Sequence, residues 1–403
     1  MKRAIVDSAL NVVAVALPTA ALQLLVFPMA AAGLDSDSYG LLTTVFALMN
    51  LVPGTLGLAL CNIRLLYNSN YADKGVAGDF PLLLRSSCLL AAVPIAGVLL
   101  FYGVREAANL IFALLTTCIW LMREYYGVAF RIRLDFKAVL ICNVGLAVGY
   151  LAGYALFRVS TCWGVILLTG QLVSLALILS RTDLWKDQAT KTELYSKVRT
   201  DVVQFSAAAF LSRCISYSDR VLLFPMIGGH LVSVYYVSTL IGKMLSMVIT
   251  PLNTVLLSYI SRGRTKPVKL FALLLASGLI LASVGFVVVL LIAEPVLKVL
   301  YPQFVDEAMV YLPISSAAAL VYSVSTVVNS FLVRFYDMSW QTRINALLLG
   351  VYVIFAYGGY LLGGLMGFCV GYLAVNVLQL LIIVCVFFFK PADSKTLSDR
   401  KMK

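Results

Sequence analysis

Charged residues are scarce in this chain of 403 residues, and histidine is almost missing. Charged residues make up 12% of the sequence, against roughly 25% in ordinary soluble domains. The single histidine, His230, lies in a short predicted turn, which excludes a histidine-based metal site or catalytic base inside a membrane. The eight cysteines are scattered along apolar stretches without metal-ligand or redox spacing, so we interpret them as small core residues.

Hydrophobic residues are abundant instead, at 61% of the chain, and they come in long runs. A helix needs about 20 apolar residues to cross a bilayer, because backbone amides in lipid must be hydrogen-bonded within their own segment. The chain is therefore predicted to be an all-α, polytopic membrane protein with about twelve transmembrane helices. The predicted spans are 9–32, 40–61, 82–102, 107–122, 138–157, 161–180, 202–228, 231–260, 268–292, 308–333, 342–362 and 364–389.

The loops differ sharply in positive charge. With these spans, 25 of the 31 Lys and Arg residues lie in loops on the side of the N-terminus, and only Arg105, Arg158 and Lys298 lie in the opposite loops. Loops rich in Lys and Arg stay in the cytoplasm. We therefore expect a multi-pass membrane protein with both termini cytoplasmic. The net charge of +12 is interpreted as a topological signal, without nucleic-acid binding, because it is dispersed over short loops.

The predicted loops are too short to house a catalytic domain. The longest cytoplasmic one, Arg181–Asp201, has 21 residues. The acidic residues of the outer loops are dispersed and form no pair of carboxylates suited to acid–base chemistry. We therefore predict a carrier rather than an enzyme, with no catalytic residues, metal or cofactor.

An internal repeat divides the chain. The tripeptide Phe27–Met29 recurs as Phe224–Met226, and a second proline follows the first after 25 residues in one copy (Pro53) and 26 in the other (Pro251). Six predicted spans separate the copies, so both have the same orientation, as in parallel repeats related by an axis along the membrane normal. The predicted lobes are residues 1–190, with spans one to six, and 191–403, with spans seven to twelve and a short cytoplasmic tail.

The seventh and eighth spans resemble those of bacterial polysaccharide transporters. The resemblance lies in Ser218–Leu223, Ile227–Gly228, Val234–Thr239 and Pro251. Tyr39–Gly40, and Gly54 and Gly57 after Pro53, are similar to the opening of the same family. These transporters are the O-antigen type flippases of the multidrug, oligosaccharidyl-lipid and polysaccharide exporter superfamily.

The resemblance implies that the protein moves an undecaprenyl-diphosphate-linked oligosaccharide, an O-antigen or related repeat unit, from the cytoplasmic to the outer leaflet. It implies alternating access of two six-helix lobes around a cavity lined by spans one, two, seven and eight. The lipid-linked oligosaccharide is the expected partner, with contacts to polysaccharide polymerase machinery, and the protein is expected to be a monomer. A coupling ion, H⁺ or Na⁺, is left open.

The residues themselves point to an anion site in the same place. Arg213, Tyr217 and Arg220 share one helix face, and at 1.5 Å per residue Arg220 lies about 12 Å and Arg213 about 22 Å below the turn at Gly228. Lys243 lies about 18 Å deep in the eighth span, on a face with Tyr236 and Thr239. Cations facing lipid would cost at least about 2.5 to 3.5 kcal/mol each, so a polar cavity that binds a diphosphate or acidic sugar is predicted. Asp219 leaves a second interpretation open, in which it pairs with one of the cations as a structural brace.

Further candidates lie in the first two spans. Asn50, Gly54, Gly57, Cys61 and Arg64 form a polar stripe, whose glycines also suit close helix packing. Arg64 either lies at the cytoplasmic mouth of the cavity, where it attracts the anionic head group, or is an ordinary positive-inside anchor. Gln23 is a further polar candidate. The predicted hinges are prolines of the four cavity helices, since proline kinks a helix. They are Pro28, Pro53, Pro225 and Pro251.

Three other functions stay open. A multidrug exporter of the same superfamily would prefer intramembrane acids for cationic drugs. A major-facilitator carrier should have a Gly and Asp-Arg-Gly-Arg pattern between spans two and three, which the loop 64–85 lacks. A membrane enzyme of polysaccharide assembly would need catalytic acids, and none is found.

Overall fold

The structure, a computed structural model, describes residues 13–14, 16–72, 78–260, 268–336 and 338–390. Within these ranges the regular structure is entirely helical. Two long helical stretches contain a non-helical break and count as two helices each: Tyr195–Ile260 breaks at Gly228, and Met338–Phe389 breaks at Gly363 and Gly364. The helices of the first half are α1 (Ala16–Ala31), α2 (Ser36–Leu51), α3 (Pro53–Ala72), α4 (Asp79–Phe101), α5 (Ala107–Tyr126), α6 (Val128–Arg133), α7 (Phe136–Ser160) and α8 (Gly164–Leu179). Those of the second half are α9 (195–227), α10 (229–260), α11 (Val268–Leu300), α12 (Val305–Phe335), α13 (338–362) and α14 (365–389).

These helices account for the twelve predicted spans. Helices α2 and α3 together form the second span, and α6 is a short continuation beyond the fourth. In the described residues, eight helical segments are long and apolar enough to cross a membrane, and two more are apolar but shorter. The predicted fold class, an all-α polytopic membrane protein, is confirmed.

Many large apolar side chains face outward, as expected of helices surrounded by lipid. In α11, Ile280 and Leu291 are 66% and 72% exposed. Such exposure would be unfavourable in water, whereas in a bilayer these side chains meet hydrocarbon. The buried residues of α11 lie on one side of the helix and are Phe271, Ala282, Gly285, Val289, Ala293 and Leu297. Phe271 stacks on Phe387 with ring centroids 3.8 Å apart.

The chain separates into two compact units, residues 1–232 and 233–403. The first unit includes α9, the predicted seventh span, whose Val198 and Val202 are buried in a cluster with Leu60, Leu84 and Leu121. The predicted lobe boundary after residue 190 is based on the internal repeat. The division by contacts does not test a repeat, so that boundary stays a prediction.

Three of the predicted hinge prolines mark irregular backbone or lie near it. Pro28 follows a π-helical turn, Leu22–Val26, in which the amide of Phe27 donates to the carbonyl of Leu22. Proline excludes a regular bond one turn back, which accounts for the wider turn. Pro53 begins α3 after the break at Val52, and Pro225 is an exposed residue close to the break at Gly228. Pro251 belongs to α10, and only its backbone is among the described parts of the chain. The hinge role of all four prolines stays a prediction.

Candidate functional site

Arg213 reaches from α9 to the second span. Its Nη1 atom donates a hydrogen bond of 2.8 Å to the backbone oxygen of Asn50, near the end of α2. That carbonyl lies just before the break at Pro53, and the side-chain amide (Nδ2) of Asn50 donates to the carbonyl of Phe46. The Arg213 side chain is half-buried.

Gly54 provides the space that the guanidinium of Arg213 occupies. A Cβ atom on Gly54 would lie 2.8 Å from Nη1 of Arg213 and 3.7 Å from Nε1 of Trp120. The polar stripe predicted along the second span therefore contacts Arg213 at Gly54. The space beside this glycine holds a cationic side chain and not the backbone of a packed helix.

Arg213 forms no ion pair with any side chain in the described part of the chain. Its one hydrogen bond goes to a neutral carbonyl, which accepts a proton but supplies no full negative charge. A half-buried guanidinium within apolar helices keeps its charge, because arginine does not deprotonate in proteins. It can therefore attract an anion that enters the space beside α2 and α9.

Arg220 and Asp219 have a different environment. Asp219 is fully buried and Arg220 is 3% exposed. An Asp219 oxygen accepts from the backbone amide of Arg220 at 2.9 Å and lies 3.9 Å from its Nε, while Nη1 of Arg220 donates to the carbonyl of Thr43 at 3.2 Å. Asp219 and Arg220 are consecutive residues of α9, and the structural brace that the sequence left open stays a prediction. A substrate-binding role of Arg220 stays a prediction, and so does a supporting role of Asp219.

The remaining candidates near the first two spans are polar groups within packed helices. Tyr217 lies between the two arginines on α9 and is partly buried. Gln23 is 8% exposed and belongs to the π-helical turn of α1. Single π-helical turns are frequent at functional sites, so the wide turn gives Gln23 a distinctive backbone setting. Their roles in substrate binding stay predictions.

Lys243 lies in the second compact unit, on α10. Its Nζ is 6.0 Å from the centroid of the Tyr235 ring. Thr239, one turn before Lys243, and Tyr236, two turns before it, are almost fully buried, and the hydroxyl of Thr239 donates to the carbonyl of Tyr236. Within the predicted face of Lys243, Tyr236 and Thr239, the Thr239 hydroxyl is therefore already hydrogen-bonded to the Tyr236 carbonyl.

Arg64 lies apart from Arg213, near the end of α3. It is 6% exposed, and its guanidinium carbon is 5.0 Å from the ring centroid of Phe80 and 5.5 Å from that of Tyr71. An anchor of the positive-inside kind would extend into water, whereas this guanidinium is enclosed by aromatic rings. Its Nε and Nη1 atoms find no hydrogen-bond partner in the described residues.

Glu124 is an acidic residue that the predicted sites do not include. The predicted fourth span ends at Met122, whereas α5 continues to Tyr126 and carries Arg123 and Glu124, which form an ion pair, into the helical region. A Cβ atom on Gly57 would lie 2.6 Å from Cβ of Glu124, so the stripe of the second span also packs against the stem of this side chain. Asp219 is therefore not the sole acid of the helical region.

Among the described residues, no group of three or more His, Cys, Asp or Glu side chains is arranged to hold a metal ion. The candidate site is thus built of two kinds of element. One is a half-buried cation on α9 beside a break in the second span, and the other is an enclosed cation, Arg64, near the end of α3.

Solved structures with the same fold are membrane transporters. An inward closed structure of the lipid II flippase MurJ aligns with 96% of this chain and 89% of its own at a TM-score of 0.75 and 12% identity. An inward-facing multidrug resistance MATE family transporter of the MOP superfamily aligns with 94% of this chain and 98% of its own, at a TM-score of 0.67 and 14% identity. An outward-facing MATE transporter aligns with 98% of this chain and 96% of its own, at a TM-score of 0.65 and 15% identity. The chain shares its fold with these transporters.

No protein-family model matches the sequence, and no curated protein matches it either.

Proposed function

We propose that the protein is a flippase of the bacterial inner membrane with both termini in the cytoplasm. It moves an undecaprenyl-diphosphate-linked oligosaccharide, an O-antigen or related repeat unit, from the cytoplasmic to the outer leaflet by alternating access. The diphosphate enters the cationic cavity, while the lipid tail stays in the bilayer. The protein acts as a carrier and has no catalytic step.

The observation that supports this proposal most directly is the environment of Arg213. Its guanidinium is half-buried among apolar helices and bonded to a neutral carbonyl, without an ion pair in the described part of the chain. A diphosphate supplies the missing negative charge, and charge-assisted bonds between arginine and phosphate are strong and bidentate. A neighbour of the same fold is named a lipid II flippase, which agrees with a lipid-linked cargo.

The decisive experiment removes the two cations without changing their size greatly. The double variant Arg213→Gln, Lys243→Gln should lose transbilayer movement of a polyprenyl-diphosphate oligosaccharide in proteoliposomes, and surface polysaccharide should disappear in cells at unchanged protein level. The control is Lys298→Gln, because Lys298 is an exposed cation that is already paired with Glu294. Normal flipping by the double variant would refute the proposal.

Export of cationic drugs is the second candidate function, because several structures of the same fold are multidrug resistance MATE transporters. Glu124 beside Gly57 is the carboxylate that could attract a cationic drug in the helical region. Cells expressing the protein should then exclude cationic dyes, and Glu124→Gln should abolish this exclusion. Dye exclusion that persists in the Arg213→Gln, Lys243→Gln variant would favour export over flipping.

A further inference from the structure

Two exposed segments are neighbours at one end of the first compact unit. One is the short connection from α6 to α7, and the other is the beginning of the linker between the sixth and seventh spans, residues 181–201. The helix ends from which they emerge pack together in one buried cluster, formed by Phe130, Ala138, Cys142 and Ile178. Just beyond this cluster, Nη1 of Arg133 donates to the backbone oxygen of Arg181 at 3.5 Å.

These two segments carry four exposed cations. They are Arg133, Lys137, Arg181 and Lys186. The acids within residues 133–137 and 181–186 are Asp135 and Asp183, and both are engaged. Asp135 caps α7 by accepting from the amide of Ala138 at 3.0 Å, and Asp183 pairs with Lys186 at 2.6 Å. Cations therefore outnumber acids on this surface.

Two large apolar side chains are exposed among these cations. Leu134 is 70% and Trp185 is 51% exposed. Leu134 ends α6 with a φ of 54°, in the left-handed conformation that glycine usually adopts at this position, because a Cβ atom is strained there. Lys186 lies beside the Trp185 ring, with Nζ 5.5 Å from its centroid. Exposed leucine and tryptophan next to basic residues are typical of helix ends that meet the membrane interface.

The linker is also held in place beyond these residues. Asp79 is fully buried at the start of α4 and accepts hydrogen bonds from the hydroxyl of Tyr71 at 2.6 Å and the backbone amide of Thr192 at 2.8 Å. The hydroxyl of Thr192 also donates to it. A buried carboxylate with several donors is costly to separate from them. Trp185 and Lys186 thus belong to a segment that is tied down on both sides, between the packed end of α8 and Asp79.

We propose that this surface binds the headgroups of acidic phospholipids, with its cations on the phosphate groups and its two apolar side chains at the boundary of the acyl chains. The binding patch consists of Arg133, Leu134, Lys137, Arg181, Trp185 and Lys186. It lies where the fourth, fifth and sixth spans end, which is the level of the lipid headgroups. Basic side chains beside a transmembrane helix are attracted by anionic lipids. The patch therefore holds the start of the linker at the membrane surface, whichever cargo the protein carries.

The test uses the fluorescence of Trp185 in the full-length protein in lipid nanodiscs. The signal of Trp185 is the difference between the parent protein and Trp185→Phe, which removes the emission of the other tryptophans, Trp120, Trp163 and Trp340. The nanodiscs contain equal amounts of phosphatidylcholine and phosphatidylglycerol, and either one or the other carries brominated acyl chains, which quench tryptophan on contact. Quenching should show about a fivefold preference for phosphatidylglycerol, the effect expected of one cation near an anionic lipid.

The double variant Arg133→Gln, Lys186→Gln should bring this preference close to one. Its thermal midpoint should stay unchanged, because both side chains are exposed. The matched control is Arg105→Gln, Arg158→Gln, which removes two exposed cations from the loops predicted on the opposite side of the membrane. The preference for phosphatidylglycerol at Trp185 should persist in this control.

Equal quenching by the two lipids in the parent protein would overturn the proposal, and so would a preference that survives in Arg133→Gln, Lys186→Gln. An equal loss of preference in the control would overturn the assignment to this patch. If neither brominated lipid quenches Trp185, the patch faces water, and the proposal fails in favour of a soluble acidic partner. The flipping assay of Arg213→Gln, Lys243→Gln is independent of these measurements, so the flippase and the lipid-binding patch can be refuted separately.

Discussion

Arg213 and Gly54 occupy complementary positions on neighbouring helices: the guanidinium of one fills the place where the other lacks a side chain. A Cβ atom on Gly54 would lie 2.8 Å from Nη1 of Arg213. Without that space, the arginine could not reach the carbonyl of Asn50, its hydrogen-bond acceptor at the break between α2 and α3. A glycine that the sequence explains equally well by helix packing thus positions the principal cation of the candidate site.

Gly54→Val should therefore reproduce the loss caused by neutralising Arg213. The added methyl groups push the guanidinium away from the Asn50 carbonyl, and flipping in proteoliposomes should fall at least about tenfold, the loss expected from one misplaced charge-assisted contact of about 1.4 kcal/mol. Protein level should change little, because the atom displaced is the far end of a flexible side chain.

Gly97→Val is the control for this variant. Gly97 also lies within a transmembrane helix, and the position of its Cβ is open. Flipping should stay normal in this control. Full activity of Gly54→Val would show that the placement of Arg213 against α2 has no part in transport.

Asp219→Ala should destabilise the protein rather than change its selectivity. The substitution leaves the buried Arg220 without its neighbouring carboxylate, and breaking a buried charge pair typically costs about 3 to 5 kcal/mol. The midpoint of thermal unfolding in detergent should fall clearly. Glu294→Ala breaks the exposed pair with Lys298 and should leave the midpoint unchanged, as expected of surface ion pairs. A stable Asp219→Ala protein that lacks flipping would instead indicate a direct role in transport.

The sequence predicts the helices well because each span carries its own signal, a run of apolar residues bounded by charge. Helices α7, α11 and α12 begin and end within a few residues of the predicted spans, apart from an extension of α11 to Leu300. The fourth span is longer than predicted, because α5 keeps its backbone hydrogen bonds beyond Met122 although hydropathy falls there. That extension is the reason why Glu124 escapes a prediction based on hydropathy.

The partners of the site residues could not be predicted in the same way. The face shared by Arg213 and Arg220 follows from helical periodicity, but their acceptors are backbone carbonyls of Asn50 and Thr43, which every residue possesses and which carry no sequence signal. The docking of Asp79 on Thr192 joins residues 113 positions apart. Such a contact depends on tertiary packing, and a loop between spans looks like an ordinary connection until its partner is known.

Asp79→Ala should release the linker from the first compact unit. Tyr71 and Thr192 would lose their common acceptor, and leaving such donors unsatisfied costs about 1 to 3 kcal/mol. Because proteolysis follows the population of the open form when opening is fast, trypsin should cleave at Lys186 and Lys191 about tenfold faster or more. Asp183→Ala, in the exposed part of the same linker, should cleave at the normal rate. Equal cleavage in both variants would show that Asp79 does not hold the linker.

Gly229→Ala should disturb the turn between α9 and α10 more than its small size suggests. A Cβ atom on Gly229 would overlap backbone atoms of Asp37, with the Asp37 Cα only 2.6 Å away, and backbone cannot move aside as a flexible side chain can. The shift would also break the hydrogen bond from the amide of His230 to the Asp37 side chain. Overpacking of this kind costs about 1 to 3 kcal/mol, so the thermal midpoint in detergent should fall by several degrees.

Gly363→Ala, in a turn where the Cβ position is open and φ is −148°, should leave the midpoint unchanged. An equal midpoint for the two variants would mean that the close approach of Gly229 to Asp37 contributes nothing to the stability of the folded protein.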